Sequence, residues 1–224
     1  MSDQPDGRFL SKIGMPGWKK PVLFVLLFFV TWVIRVFIYK YVDLGIESLA
    51  LATVSSVLWK TVVWIIFPVL YIVFVDKKNP LEYLKLSGNA KKAVIWSLVA
   101  IAVGIVWQFT LLVLKLDSTF TDLHGVFVAI WIAGTCEEVL FRGFLLSKFG
   151  EFMSFTKAML ATSLLFVFVH IPSWLIFMGY SPRDVLFNGL YVFFISLIFS
   201  MLVKVSNSLY PSIVFHSIAD IIAF

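Results

Sequence analysis

Seven long apolar stretches, with no polar gap between them longer than about 20 residues, constrain this chain more than any other feature. They run over 21–39, 54–75, 93–114, 125–149, 157–178, 184–203 and 209–224. A helix of about 20 apolar residues crosses a hydrocarbon core of about 30 Å, and backbone inside lipid must satisfy its own hydrogen bonds. The pattern therefore predicts an all-α fold, a polytopic membrane bundle of about seven transmembrane helices. Residues 21–224 read as one transmembrane domain behind a short lead-in over 1–20. That lead-in carries Pro5, Gly7, Gly14, Pro16 and Gly17, which suit a flexible or interfacial segment. The first stretch contains Arg35 and has no small-residue cleavage site after it, so it reads as a retained helix and not a cleaved signal.

Composition removes the competing classes. Of the 224 residues, 61% are hydrophobic and 14% charged, against about 25% charged in an average soluble domain. A soluble enzyme of this size cannot hide that much apolar surface. The net charge of +5 is spread between apolar blocks, which fits membrane loops and gives no nucleic-acid surface. Cys136 is the single cysteine, so there is no internal disulfide and no Cys-rich zinc site. With the N-terminus placed in the cytoplasm, the inner segments hold 12 Lys and Arg and the outer loops hold 3. The positive-inside rule thus predicts a cytoplasmic N-terminus in the cell membrane, with membrane lipids as constant partners. The basic 76–92 loop favours substrate approach from the anionic cytoplasmic leaflet.

Ionisable residues inside a bilayer cost about 2.5–3.5 kcal/mol each on insertion scales, so they mark function by default. Arg35 and Lys60 lie near span ends, where long side chains snorkel to the interface. The fourth stretch is different. It reads Gly134-Thr-Cys-Glu-Glu-Val-Leu-Phe-Arg-Gly143, with two carboxylates in mid-helix. Glu138 and Arg142 are four apart and share a face, which predicts a structural ion pair. Glu137 points about 100° away and needs another partner. His170 stands in a Phe/Val run just before Pro172, and His216 and Asp220 share one face of the last stretch. The third histidine, His124, falls in the loop before the fourth stretch. Asn188 and Gln108 are expected to hydrogen-bond between helices, and Cys136 to be a small buried residue. The cheapest company for Glu137, Glu138, His170, His216 and Asp220 is one another, so they are expected in one wet cavity between the fourth, fifth and last spans.

A carboxylate and an imidazole aimed at one water form a general-base pair, and neighbouring donors steady the oxyanion that follows attack on a carbonyl. That is peptide hydrolysis without a covalent intermediate. Glu137, His170, His216 and Asp220 are equally candidate ligands for a divalent metal such as zinc, with one position open for water. The sequence leaves both versions open. It lacks His-Glu-x-x-His, Gly-x-Ser-Gly and Gly-x-Gly-Asp, which removes three other intramembrane protease designs.

Glu137-Glu138-x-x-x-Arg142, Phe166-x-x-x-His170 and His216-x-x-x-Asp220, in that order on separate spans, resemble the three motifs of the CPBP family. These are the CAAX protease and bacteriocin-processing intramembrane endopeptidases, also called the Abi family. Ser208-Leu-x-Pro211 is similar as well, and the resemblance covers about 125–224, the expected catalytic core. It implies Glu137 as general base on water with help from His170, His216 and residue 220 at the oxyanion, and Arg142 holding Glu138. The family has Asn or Asp at the last position. An ionised Asp220 would repel an oxyanion, so it must be protonated, orient His216 or ligate a metal. Small size and the lack of a soluble domain look like the bacterial members, which implies a membrane-associated peptide or precursor as substrate. Two other readings compete: a non-catalytic bacteriocin self-immunity protein, and a proton- or cation-coupled transporter. The second is expected to show inverted repeats, and the sequence has none.

Overall fold

The computed structural model describes residues 17–42, 48–113 and 123–223. Every regular element among them is helical: α1 Lys19–Tyr41, α2 Leu49–Val75, the short α3 Pro80–Tyr83, α4 Ala90–Val113, α5 His124–Gly150, α6 Phe155–Ile176, α7 Pro182–Ser206 and α8 Tyr210–Ala223. Six of these are long and apolar enough to cross a membrane. The multi-pass bundle expected from the sequence is therefore what forms. The seventh expected span, α8, has 14 residues, about 21 Å at 1.5 Å per residue, which is short of the hydrocarbon core. Most of the 1–20 lead-in lies outside the described residues.

Local chemistry sets the helix boundaries. Ser48 caps α2 by accepting from Leu51 N–H. Ser181 and Asp184 form a reciprocal capping box at the start of α7, with Pro182 in the first turn. Asn207, at φ 50°, ends α7 in the left-handed conformation that Asn tolerates.

The helices alternate in direction, and each end of the bundle is tied by its own bonds. At one end Lys148 contacts Asp76 at 2.7 Å and Glu151 at 2.9 Å, Lys78 contacts Glu151 at 2.6 Å, and Leu209 N–H donates to Lys85 O. This end also carries Lys77, Lys91, Lys92, Lys157 and Lys204 in its loops and helix ends. At the other end Thr53 Oγ1 meets His124 Nε2 at 2.7 Å, and Tyr39 O–H reaches Ala52 O. His124 thus belongs to the first turn of α5 and not to a loop.

The central helix is α5. In an 18-residue apolar stretch of α5 44% of residues are buried, against 17–28% in the matching stretches of the other five, so α5 contacts protein where the others also contact lipid. Leu, Val and Phe side chains on α1, α2, α4 and α7 are exposed on their outer faces, as a lipid-solvated surface requires. α8 packs against α5 and α4. It comes close because Gly134 and Gly104 present no side chain there: a Cβ on Gly134 would collide with Ser217 Oγ, and one on Gly104 with Ile218. Small residues at helix crossings are how membrane helices gain packing without a hydrophobic driving force. Both α2 and α5 contain wider π-type turns: Phe67 N–H reaches Val62 O, and Leu146 N–H reaches Phe141 O, five residues back. In α5 these turns flank Cys136–Glu138 on both sides. Such turns redirect side chains locally and often mark functional sites.

Candidate active site

Glu137, Glu138, His170, His216 and Asp220 converge. Glu137 and Glu138 come from the middle of α5, His170 from α6, and His216 and Asp220 from α8. Glu138 is fully buried and shares its Oε1 between Arg142 Nη1 at 2.7 Å and His216 Nδ1 at 2.8 Å. Its Oε2 accepts from Ser212 Oγ. Arg142 in turn donates to Ser196 Oγ at 2.6 Å, and Ser196 donates to Ser163 at 2.8 Å. Two aromatic rings close this polar core. The Arg142 guanidinium lies over Phe166 at 4.2 Å and Phe199 at 4.9 Å, and Phe199 stacks on the His216 ring at 4.6 Å. The Phe166 ring also stands edge-on to His216 at 5.7 Å, so Phe166 of the Phe-x-x-x-His motif supports both the arginine and the last histidine.

These bonds assign the imidazole protons. Glu138, paired with Arg142, is an acceptor, so His216 Nδ1–H donates to it. His170 Nδ1 lies 2.7 Å from Phe166 O, an obligate acceptor, and so also carries a proton. Trp32 Nε1–H donates to Val169 O at 2.6 Å and pins the α6 backbone beside His170. In both neutral imidazoles the bare atom is then Nε2. His170 Nε2 lies 4.0 Å from Glu137 Oε2, and His216 Nε2 lies 3.9 Å from the same oxygen. Those gaps are too long for direct hydrogen bonds. A water oxygen about 2.8 Å from each of two such atoms spans about 4 Å when the angle at the water is roughly 90°. Three acceptors thus converge where a water with two hydrogens fits.

Glu137 has the partner that its helix face lacks. Lys60 of α2 donates to its Oε1 at 2.6 Å and to Ile132 O at 3.2 Å. This corrects the snorkelling expectation for Lys60, whose side chain is 13% exposed and turned into the bundle. Arg35 keeps a bland setting: it rests on the Tyr39 ring at 4.0 Å and reaches Ser55 at 3.4 Å. Asn188 donates to Asp184 O of its own helix and not across helices. The Gln108 side chain lies outside the described residues. Cys136 is fully buried.

Asp220 Oδ2 is 3.7 Å from His216 Nε2. Counting Glu137, Glu138 and Asp220 against Lys60 and Arg142, the cluster has one negative charge to spare. A proton on the Asp220 carboxyl, beside the bare His216 Nε2, would bring it to neutrality, which a water-poor interior favours.

The donor set does not fit zinc as it is arranged. Ligands about 2.1 Å from a tetrahedral ion lie about 3.4 Å apart, whereas Glu137 Oε2 is 4.0 and 3.9 Å from the two imidazole nitrogens. The Lys60 ammonium already occupies the other oxygen of that carboxylate. Among the described residues no group of three or more His, Cys, Asp or Glu side chains is placed to hold a metal ion.

Residues 119–222 match the family model described as Rce1-like, type II CAAX prenyl endopeptidase Rce1-like. This segment is Rce1-like. It is the family that the three motifs resemble, and the match takes in α5 to α8, the helices that carry all five converging residues. The Rce1-like segment does not include α2, and so does not include Lys60. No curated protein and no solved structure matches the chain.

Sequence reasoning missed Lys60, Ser163, Ser196, Ser212 and Phe199. Lys60 carried a signal, being an ionisable residue inside a span. The serines carried none, because small hydroxyl residues are common in membrane helices.

Proposed function

We propose that the protein is an intramembrane endopeptidase that hydrolyses a peptide bond of a membrane-associated peptide or precursor with an activated water. The observation that carries this reading is the convergence of Glu137 Oε2 with the Nε2 atoms of His170 and His216 at 4.0 and 3.9 Å. The Rce1-like segment, whose family is one of CAAX-type endopeptidases, supports the reaction class.

In this reading a water that donates to Glu137 Oε2 and to one imidazole Nε2 passes one proton to Glu137 Oε2 as its oxygen attacks the carbonyl carbon. The carbonyl oxygen becomes an oxyanion. The proton carried by Asp220 donates to it, which resolves the repulsion that an ionised Asp220 alone would cause. Glu137 then passes its proton to the leaving amine as the C–N bond breaks, and a carboxylic acid and an amine result. Glu138 holds His216 in one tautomer, and Arg142 holds Glu138. No step requires a metal.

The test is cleavage of a peptide library by the purified protein in detergent, comparing wild type with Glu137→Gln, each with and without chelator. The expected result is cleavage by wild type that survives chelation, and a loss of about 10²–10⁴-fold on Glu137→Gln, the usual worth of a general base. Full activity of Glu137→Gln would refute the assignment. A Glu137→Gln protein that still confers the cellular phenotype would point to the self-immunity reading, in which binding suffices.

A further inference from the structure

Lys60 is the one charged group at the site that the three motifs do not supply. It comes from α2, while the Rce1-like segment begins at residue 119. Its ammonium is fixed from several sides: Glu137 Oε1 at 2.6 Å, Ile132 O at 3.2 Å, and the Trp64 ring at 4.5 Å. The ring and the carbonyl hold the cation, and the Glu137 carboxylate balances its charge. Around Glu137 the other titratable or charged groups are Cys136, Glu138 and Arg142 on α5, His170 on α6, and His216 and Asp220 on α8. Arg142 is bound to Glu138, so Lys60 is the cation that pairs with Glu137.

We propose, on the reading of this centre as a water-activating site, that Lys60 is its positioning residue. It ties Glu137 Oε1 and balances the carboxylate charge, so that Oε2 alone faces the two imidazoles and the attacking water. Without that tie two things follow from the geometry. A lone carboxylate at membrane depth sheds its charge by taking a proton, and a protonated Glu137 cannot act as base. Once protonated, a freed Glu137 also has only about 1 Å to move before it donates to the bare Nε2 of an imidazole, which fills the place of the water. A cavity of about 170 Å³, lined by Trp32, Arg35, Trp59 and Lys60 among others, adjoins the ammonium. It lies toward the end opposite the basic 76–92 loop, not toward that loop as the expected cytoplasmic approach requires. A small solute in that cavity reaches the place of the Lys60 side chain.

That cavity supplies the test. Lys60→Ala is expected to lower kcat by about 100-fold or more while KM stays within about threefold, because the residue acts through the base. Propylammonium, added to this variant, should restore activity at least about tenfold and saturably, and the neutral propanol should not. A merely structural lysine gives no such rescue, and its absence in a variant that folds would overturn the proposal.

A second readout needs neither cleavage nor the alanine variant. Dicyclohexylcarbodiimide adds to protonated carboxyl groups inside membranes and spares carboxylates. At neutral pH, mass spectrometry should find Glu137 unlabelled in wild type and labelled at least about tenfold more in Lys60→Met. Equal labelling would overturn the role of Lys60 and leave the endopeptidase reading standing. Differential labelling of a protein that cleaves no peptide would do the reverse.

Discussion

Arg142→Met removes a buried cation and keeps most of its volume. Arg142 and Glu138 are 1% and 0% exposed, and their contact is 2.7 Å. After the substitution Glu138 keeps only Ser212 and His216 as partners, and Ser196 loses its charged donor. Breaking one side of a buried pair costs about 3–5 kcal/mol, because the surviving charge stays buried. For a chain of 150–250 residues each kcal/mol lowers the midpoint by about 2–4 °C, so the loss is about 6–20 °C. The assay is thermal unfolding of detergent-purified protein followed by fluorescence-detected size exclusion, with membrane abundance measured in parallel. Arg142→Met with Glu138→Gln removes both charges and should melt above the Arg142→Met single variant. A single variant within about 2 °C of wild type, or strictly additive costs in the double, would refute the reasoning. A variant that accumulates normally yet is inactive would move Arg142 from the scaffold to the substrate site.

Gly134→Ala drives a methyl into Ser217 and pushes α8 away from α5. It should cost about 1–3 kcal/mol of stability and lower kcat by displacing His216 from Glu138, both readable in one purified preparation. Asp220→Asn replaces a carboxylate 3.7 Å from His216 Nε2 with a permanent donor. It should retain activity and extend it toward high pH, and a crippled variant with no gain at high pH would leave Asp220 as an orienting group only. At the lysine-rich end, burial alone would raise the Glu151 carboxyl, but hydrogen bonds from Lys78, Lys148 and Tyr83 outweigh it and hold it below the usual range. Its contribution is therefore full above the ordinary carboxylate pKa and lost as pH falls through the lowered value. Acid melting curves of wild type should show that loss below about pH 4, and Glu151→Gln should flatten it.

The converging carboxylates and imidazoles were legible because each is an ionisable group in a run that otherwise has none. Glu137, Glu138, His170, His216 and Asp220 announce themselves by cost alone, and spacing alone puts Arg142 beside Glu138. Lys60 was misread for a measurable reason. The apolar run begins at residue 54, which makes Lys60 its seventh residue and close to an interface. The helix begins at Leu49, after the Ser48 cap, which makes Lys60 the twelfth of 27 residues and near mid-membrane. At that depth the ammonium turns into the bundle and pairs with Glu137. The π-type turns of α5 have no sequence mark that hydrophobic periodicity reads, and the hydroxyl partners Ser196 and Ser212 look like any other small membrane residue.

Charge counting shows why the motifs alone do not complete the centre. The Rce1-like segment contributes three carboxylates and one permanent cation, Arg142, which leaves two negative charges in a nearly dry cluster. One proton does not neutralise that, and two protons would occupy the base or the oxyanion donors that the proposed hydrolysis needs. Lys60 removes one of the two charges without taking a proton-accepting position. On the proposed reading a proton on Asp220 balances the remaining charge, where an oxyanion would need it. On this accounting the helices outside the motif-bearing half are more than a hydrophobic frame. Swapping α1 and α2 for another apolar helix pair without the lysine should leave the five motif residues in contact and the centre short of one cation.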